Sequence, residues 1–195
     1  MTTFGYRLPS TTQGDNNEHW AYPWFAVQVK PNFESTSATS LTARKLETFL
    51  PMYTATRRWS DRLKTSKFPL FPGYLFCRLN PEYRTPVLEV PGVIGIVSCG
   101  RQPLPVDEHE IEALRRVSRE SISAQPGPFL EAGLRVRVVK GALSGIEGLV
   151  IEDKGKCCLV LQVSLLQRSV RVQIDRDWIE PLMAARLKSS IPRAS

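Results

Sequence analysis

The pattern of hydrophobic and polar positions differs between two regions of the chain, and it changes near residue 123. Before it, apolar runs such as Trp24–Val29 alternate with amphipathic stretches, and Ile111–Val117 repeats with the period of a helix. After it, Val136 and Val138 alternate with arginines, which is the period of a half-buried strand. The pattern predicts an α+β N-terminal domain with a mostly antiparallel sheet, followed by a small all-β barrel.

The elements of the first region are bounded by breaker and capping residues. Pro86 suits the first position of a helix, and the run from Asp107 to Glu110 resembles a capping box. The predicted order is a strand at Trp24–Val29, a helix at Glu34–Glu47, strands at Phe49–Trp59 and Phe71–Leu79, a short helix from Thr85, a strand at Val93–Val97 and a helix after Asp107.

The second region is predicted to contain only short strands separated by glycine turns. These strands are Leu134–Val139, Gly148–Ile151, Cys157–Val163, Val170–Ile174 and a last one from Trp178. Two prolines flank Gly127, so residues 123–130 are predicted to be a linker in which neither helix nor strand continues. The predicted organisation is a flexible leader at 1–19, an N-terminal domain at 20–122, the linker, a barrel at 131–182 and a flexible tail at 183–195.

The net charge and the absence of targeting patterns indicate a class of partner and a cellular location. The 195 residues carry a formal net charge of +7, which favours nucleic acid or another polyanion, although a generically basic protein is the alternative. No signal-peptide pattern and no apolar run of the ~20 residues needed to span a bilayer occurs, so a cytoplasmic protein without a membrane partner is expected. The four cysteines are expected to be reduced and to act as small buried hydrophobes.

The residues that enzymes use are sparse. His109 lies among Asp107, Glu108 and Glu110, where a solvated acidic helix start is favoured over a metal site. No nucleophile elbow, phosphate-cradling loop or zinc-ligand spacing is found. We therefore expect no catalytic residues, no metal and no cofactor.

The segment Phe71–Tyr74 points instead to binding. Proline removes a ladder hydrogen bond from a strand, and glycine leaves a dent that another chain can approach. Two aromatic residues frame this dent, and the basic segment Arg57–Lys67 precedes it. The combination predicts an apolar docking surface beside a site that attracts phosphates.

These motifs resemble those of the NusG family of transcription elongation factors. The resemblance covers residues 24–182 and rests on the opening strand Trp24–Gln28, the Phe71–Tyr74 motif, Pro91–Ile94 and a KOW-like motif at Val136–Val150. It implies an N-terminal α+β domain followed by a KOW β-barrel, in a protein expected to be monomeric.

The resemblance also implies a contact with the clamp helices of RNA polymerase through an apolar patch. The alternative for Trp24 and Phe71 is that they belong to the core. Carried over by position, the expected patch comprises Trp24, Met52, Tyr53, Phe71, Pro72, Gly73 and Tyr74.

A second implied site faces the upstream DNA and the non-template strand. Cations there would supply salt-sensitive affinity, and Trp59 would stack on an exposed base. The alternative is a solvated basic hairpin. The expected residues are Arg57, Arg58, Trp59, Arg62, Lys64 and Lys67.

The KOW domain of housekeeping members binds the termination factor Rho or a small ribosomal-subunit protein. The matching loop positions are Leu143, Ile146, Leu165 and Leu166, all aliphatic where housekeeping members often carry aromatics. This difference argues against those partners. The run Ser164–Val170 resembles specialised, RfaH-like or UpxY-like paralogues that promote expression of long operons, and that branch is favoured. The strand-forming valines of the second region argue against a C-terminal domain that refolds into helices.

The leading hypothesis is thus an antiterminator that bridges the polymerase clamp and suppresses pausing. The alternative within the family is a housekeeping NusG that couples polymerase to Rho or to ribosomes. A KOW-containing ribosomal or RNA-binding protein is a further alternative, and the separate domain with the Phe71–Tyr74 motif speaks against it.

Overall fold

The computed structural model describes residues 22–59, 62–120, 122–130, 133–153 and 155–182. The leader predicted at 1–19 and the tail predicted at 183–195 lie outside these residues. The chain divides into two compact units. The first unit comprises residues up to Leu50 together with Phe71–Glu108, and the second comprises Pro51–Leu70 together with the residues from His109 onwards.

Strands predominate in both units, and the helices are short. The elements in chain order are β1 Trp24–Val29, α1 Glu34–Ala43, β2 Thr48–Phe49, β3 Met52–Trp59, β4 Arg62–Pro69, β5 Tyr74–Arg78, α2 Thr85–Leu88, β6 Val93–Ile96, β7 Ser98–Cys99, β8 Gln102–Pro103, β9 Pro105–Val106, α3 Glu108–Arg119, β10 Ala124–Pro128, β11 Leu134–Val138, β12 Glu147–Asp153, β13 Lys156–Val163, β14 Arg168–Gln173 and β15 Ile179–Pro181.

The first unit is built on an antiparallel sheet in the order β2-β5-β1-β6, with β9 also paired to β1. The apolar run of β1 is buried at every position except Gln28, as expected for a strand at the centre of a sheet. Val27 lies opposite Leu75, and both pack with Leu41 of α1 in the core. The predicted α+β architecture is therefore confirmed for this region.

Helix α1 is shorter than its sequence pattern predicts. It ends at Ala43, and Lys45 adopts a left-handed conformation with φ 62°, which stops the helix before Glu47. Thr39 and Thr42 donate their hydroxyl hydrogen bonds to carbonyls one turn earlier, which accommodates these polar side chains in an exposed helix face. No helix in the described parts of the chain has the length and apolar composition needed to cross a bilayer.

The predicted strand Phe49–Trp59 is two strands in the structure. Pro51 separates β2, which pairs with β5, from β3, which pairs with β4. Because proline has no N–H to donate, it interrupts the ladder at this point. The Pro51 carbonyl accepts a hydrogen bond of 2.8 Å from the Leu70 N–H and closes the base of a hairpin formed by β3 and β4.

The second unit contains an antiparallel sheet of six strands in the order β10-β14-β13-β12-β11-β15. Val136 and Val138 are fully buried and Arg135 and Arg137 are exposed, as the alternation predicts. Leu134, which the alternation places on the buried face, is exposed at the start of the strand. The all-β character of this region is confirmed, and closure of its sheet into a barrel stays a prediction.

The predicted linker contains a strand, which corrects the expectation that neither helix nor strand continues there. Ala124–Pro128 forms β10 and pairs with β14, with Pro126 opposite Val170. Prolines are tolerated because β10 occupies an edge of the sheet, where one side of the strand needs no ladder bonds. The domain boundaries at 122, 130 and 182 remain predictions.

Candidate docking and nucleic acid-binding sites

The Phe71–Tyr74 segment forms a fixed turn in the first unit. Gly73 has a φ of +82°, a conformation that L side chains rarely adopt. Its N–H donates a hydrogen bond of 2.9 Å to Oε1 of Glu34, and its carbonyl accepts one of 2.9 Å from the Val29 N–H. The Tyr74 N–H donates to the Phe71 carbonyl at 3.0 Å. The turn is therefore held by the start of α1 and the end of β1.

The turn separates buried from accessible residues. The side chain of Phe71 is fully buried and meets Phe76 edge to face, with ring centroids 5.7 Å apart. Pro72 is exposed, while Gly73 and Tyr74 are half-buried. Phe71 therefore supports the turn from the core, and the part of the motif that a partner can reach is Pro72–Tyr74.

Trp24 also belongs to the core, where polar partners surround its indole ring. It is fully buried at the start of β1, and its Nε1–H donates to Oε1 of Glu108 at 3.3 Å. The guanidinium of Arg78 lies 5.1 Å from the centroid of its ring and forms ion pairs with Glu108 and, at 3.1 Å, with Glu47. A cation over an indole face stabilises both groups. The structure thus takes Trp24 and Phe71 out of the surface patch predicted from the sequence.

Met52 and Tyr53 lie at the base of the hairpin in the second unit, and both are half-buried. Tyr53 pairs across the ladder with Phe68, and their rings are 5.8 Å apart and tilted by 40°. Phe68 is a further accessible aromatic that the sequence analysis missed, since β4 was not predicted to be a strand. This aromatic pair belongs to the second unit, whereas Pro72–Tyr74 belongs to the first.

The predicted nucleic acid-binding residues all lie on the hairpin. Its register runs from Met52 opposite Pro69 to Trp59 opposite Arg62. Arg58, Lys64 and Lys67 are exposed. The side chains of Arg57, Trp59 and Arg62 lie outside the described part of the chain, and their backbones are placed by the ladder.

The loop positions predicted to bind a KOW partner differ in accessibility. Leu143 and Ile146 are buried, whereas Leu165 and Leu166 are half-buried in a 3₁₀ turn that ends at Gln167, whose φ is 50°. Both loops are bonded to α3 within the second unit. A side-chain nitrogen of Arg116 donates to the Ser144 carbonyl at 2.5 Å, and the Ser164 N–H donates to Glu110 at 3.1 Å.

Two of the four cysteines, Cys77 and Cys158, are buried thiols with raised pKa values. Burial raises the pKa of the Cys77 thiol to about 12, and burial is also the main cause that raises the pKa of Cys158. Both thiols are therefore held protonated near neutral pH. Cys99 is exposed, contrary to the expectation that all cysteines are buried. Among the described residues, no three His, Cys, Asp or Glu side chains gather as a metal site.

The Glu34 carboxylate accepts a hydrogen bond from the turn, so its loss should destabilise the turn. Glu34 is 7% exposed, and Glu34→Ala leaves the Gly73 N–H without its acceptor. We expect a loss of about 1–2 kcal/mol in the free energy of unfolding and faster hydrogen exchange at the Gly73 amide. Urea denaturation and amide exchange measure these effects.

Glu34→Gln is the matched control for this prediction, because its side-chain carbonyl can still accept from Gly73. It is expected to retain most of the stability and the slow exchange. Equal exchange rates at Gly73 in the alanine and glutamine variants would contradict a positioning role for the Glu34 oxygen.

Comparisons with known proteins point to one family. The family model described as NusG, transcription termination factor nusG, matches residues 22–115, which contain the turn and the hairpin. The chain is 29% identical to the transcription termination/antitermination protein NusG of Lactococcus lactis over 175 residues, which span 83% of this chain and 94% of that protein. The protein of the same name from Pseudomonas aeruginosa is 26% identical, over 80% of this chain and 97% of that protein.

A solved structure of Thermotoga maritima NusG, entitled "Domain interaction in Thermotoga maritima NusG", is similar in fold. Its TM-score is 0.50 at 23% sequence identity, and the match covers 83% of this chain and 98% of that one. At this identity the likeness concerns the fold alone.

Proposed function

The chain belongs to the NusG family, and from that premise we propose that it is a transcription elongation and antitermination factor that binds the clamp helices of RNA polymerase. The observation that carries the proposal is the Phe71–Tyr74 turn. It is hydrogen-bonded to β1 and α1, and it leaves Pro72 and Tyr74 accessible. The turn is therefore ordered before a partner arrives, and a preorganised surface loses less entropy on binding.

The chemistry of the turn suits a helical partner. Pro72 and the ring of Tyr74 offer apolar area, and tyrosine adds a hydroxyl that can bond at the rim of an interface. In the second unit, Met52 and the Tyr53–Phe68 pair at the base of the hairpin offer apolar area of their own. By bridging the clamp, the protein would hold the active cleft closed and suppress pausing.

The hairpin supplies the second half of the proposal, a contact with the upstream or non-template DNA of the elongation complex. Arg58, Lys64 and Lys67 are exposed on it. Their contacts with phosphates would be independent of sequence and weakened by salt.

We favour a specialised paralogue that acts on long operons. Leu143 and Ile146 are buried, so the KOW loops offer mainly Leu165 and Leu166 to a partner. Half-buried aliphatic side chains provide less contact area than the aromatic anchors that dominate protein interfaces. The second candidate is a housekeeping factor that couples polymerase to Rho or to ribosomes, and the termination/antitermination names of the relatives support it.

Transcription in vitro tests the proposal and separates the two candidates. When the wild-type protein is added to a single-round reaction on a template with pause and Rho-dependent termination sites, we expect shorter pauses and more full-length RNA, with or without Rho. Gel quantification of the transcripts measures both effects.

The Tyr74→Ala variant, added at the same concentration, should not change the transcripts. Shorter transcripts that appear only with Rho would favour the housekeeping role over the specialised one. Unchanged pausing and termination with the wild-type protein would overturn the elongation role altogether.

A further inference from the structure

A β-bulge in β6 decides which of its side chains face the core of the first unit. Gly95 of β6 lies opposite Gln28 of β1. An unbroken ladder would place the preceding residue, Ile94, opposite Val29, but the register shifts and Val93 takes that position. A bulge leaves one residue of its strand without a partner in the ladder, and here that residue is Ile94.

The shift turns an apolar side chain out of the core. Val29 belongs to the buried core cluster of the first unit, and Val93 packs against the same cluster. Ile94 is left 56% exposed, although a regular ladder would have given it the core-facing position. Bulges are common next to functional sites, where they re-aim a side chain. The exposure of Ile94 is therefore a product of the strand geometry.

Ile94 adjoins a row of positions that crosses the sheet at the level of the Phe71–Tyr74 turn. Tyr74 of β5 and Gly95 of β6 both lie opposite Gln28, one on each side of β1. Opposed residues share a face, and Gln28 is exposed on the face away from the core cluster. Neighbouring strands lie about 4.8 Å apart, so the row from Tyr74 on β5 to β6 spans roughly 10 Å.

Gly95 leaves the middle of this row open. Apart from its chain neighbours, no atom in the described residues lies within 4 Å of the position that a Cβ atom would take at Gly95. The row thus has the ring of Tyr74 at one end and Ile94 at the other. Between them the floor consists of the Gln28 side chain and the bare backbone of Gly95.

We propose that Ile94 is a second anchor for the polymerase helix that contacts Tyr74, and that this helix lies over Gln28 and Gly95. An α-helix with its side chains is about 10–12 Å wide, which matches the distance across the row. One helix can therefore contact Tyr74 along one edge and Ile94 along the other. The proposal rests on the proposed function and adds a contact on β6 that lies outside the Phe71–Tyr74 motif.

Two substitutions test the second anchor in opposite ways. Ile94→Ser removes the apolar side chain, and Gly95→Val fills the open floor with a residue that favours strands. Both variants should unfold at the urea concentration that unfolds the wild type, because each changes an accessible position. The dissociation constant of purified polymerase core enzyme is then measured. Leu88→Ser is the control, since Leu88 is 45% exposed on α2 in the same unit.

Ile94→Ser and Gly95→Val are each expected to weaken polymerase binding by about tenfold or more, as the loss or obstruction of an interface anchor does. Leu88→Ser should change the affinity by less than about twofold. Gly95→Val gives the sharper result, because a purely structural role of this position would not lower affinity in a protein of unchanged stability.

Wild-type affinity of either Ile94→Ser or Gly95→Val, together with a loss for Tyr74→Ala, would overturn the second anchor and leave the turn as the binding site. An equal loss for Leu88→Ser would also overturn it, since the effect would then not be confined to this row. Wild-type affinity of every variant, Tyr74→Ala included, would overturn the proposed function itself. If Gly95→Val does not fold, the result for Ile94→Ser decides.

Discussion

Substitution of Phe71 by alanine is expected to lower the free energy of unfolding by about 3–5 kcal/mol, the range for truncating a buried phenylalanine. The ring is fully buried and packs edge to face against Phe76. Its removal deletes this aromatic contact and leaves a cavity beneath the turn. Urea denaturation monitored by circular dichroism measures the loss.

Two substitutions serve as controls for Phe71→Ala. Phe71→Leu keeps an apolar side chain of similar reach and should cost less than the alanine variant. Tyr83→Ala removes an aromatic ring that is 68% exposed in the same unit, and it should change stability by no more than about 0.5 kcal/mol. A Phe71→Ala protein as stable as Tyr83→Ala would contradict the core position of Phe71.

This prediction changes how a binding defect at Phe71 is interpreted. An alanine there weakens the whole first unit, so any lost affinity for a partner would mix unfolding with contact. The accessible residues Pro72 and Tyr74 report on contact more directly.

Periodicity predicted the elements that bury one face. On α3, the stripe formed by Ile111, Leu114 and Val117 is buried, with no residue more than 2% exposed. In β11, Val136 and Val138 are buried, whereas Arg135 and Arg137 are exposed. Such elements can be predicted because the repeat of apolar residues directly reflects the side that packs against the core.

Strand β4 could not be predicted in this way. Its residues Arg62–Pro69 are mostly polar, and Leu63, Lys64 and Lys67 are exposed. The strand is defined by backbone pairing with β3 and by cross-strand contacts such as Thr56 with Thr65. Without a buried face, a paired strand leaves little trace in the hydrophobic pattern.

The sequence could not predict which residues of the docking patch are accessible, because the burial of an aromatic residue depends on distant parts of the chain. Trp24 is covered by Arg78 and bonded to Glu108, neither of which is near it in sequence. Glu34 was noticed only as a helix residue, and its bond to Gly73 appears only in the fold. The motif indicates a candidate site, and tertiary contacts decide which of its residues are accessible to a partner.

The second large effect is expected at Tyr74. Substitution by alanine should weaken binding to RNA polymerase by about 30-fold or more, the loss of a hot-spot residue worth ~2 kcal/mol. Tyr74 is the half-buried aromatic that follows the rigid Gly73 turn, so its ring is held in place before binding. Tyr74→Phe, which keeps the ring, should retain most of the affinity.

The central proposal is that Pro72–Tyr74, the accessible part of the Phe71–Tyr74 turn, binds RNA polymerase. Its most direct test is the equilibrium dissociation constant of purified polymerase core enzyme for the wild-type protein, Tyr74→Ala and Tyr83→Ala, after each variant is verified to be folded. The proposed site predicts a large loss for Tyr74→Ala and wild-type affinity for Tyr83→Ala, since Tyr83 is an exposed tyrosine outside the turn. A folded Tyr74→Ala protein that binds polymerase as tightly as the wild type would contradict the claim.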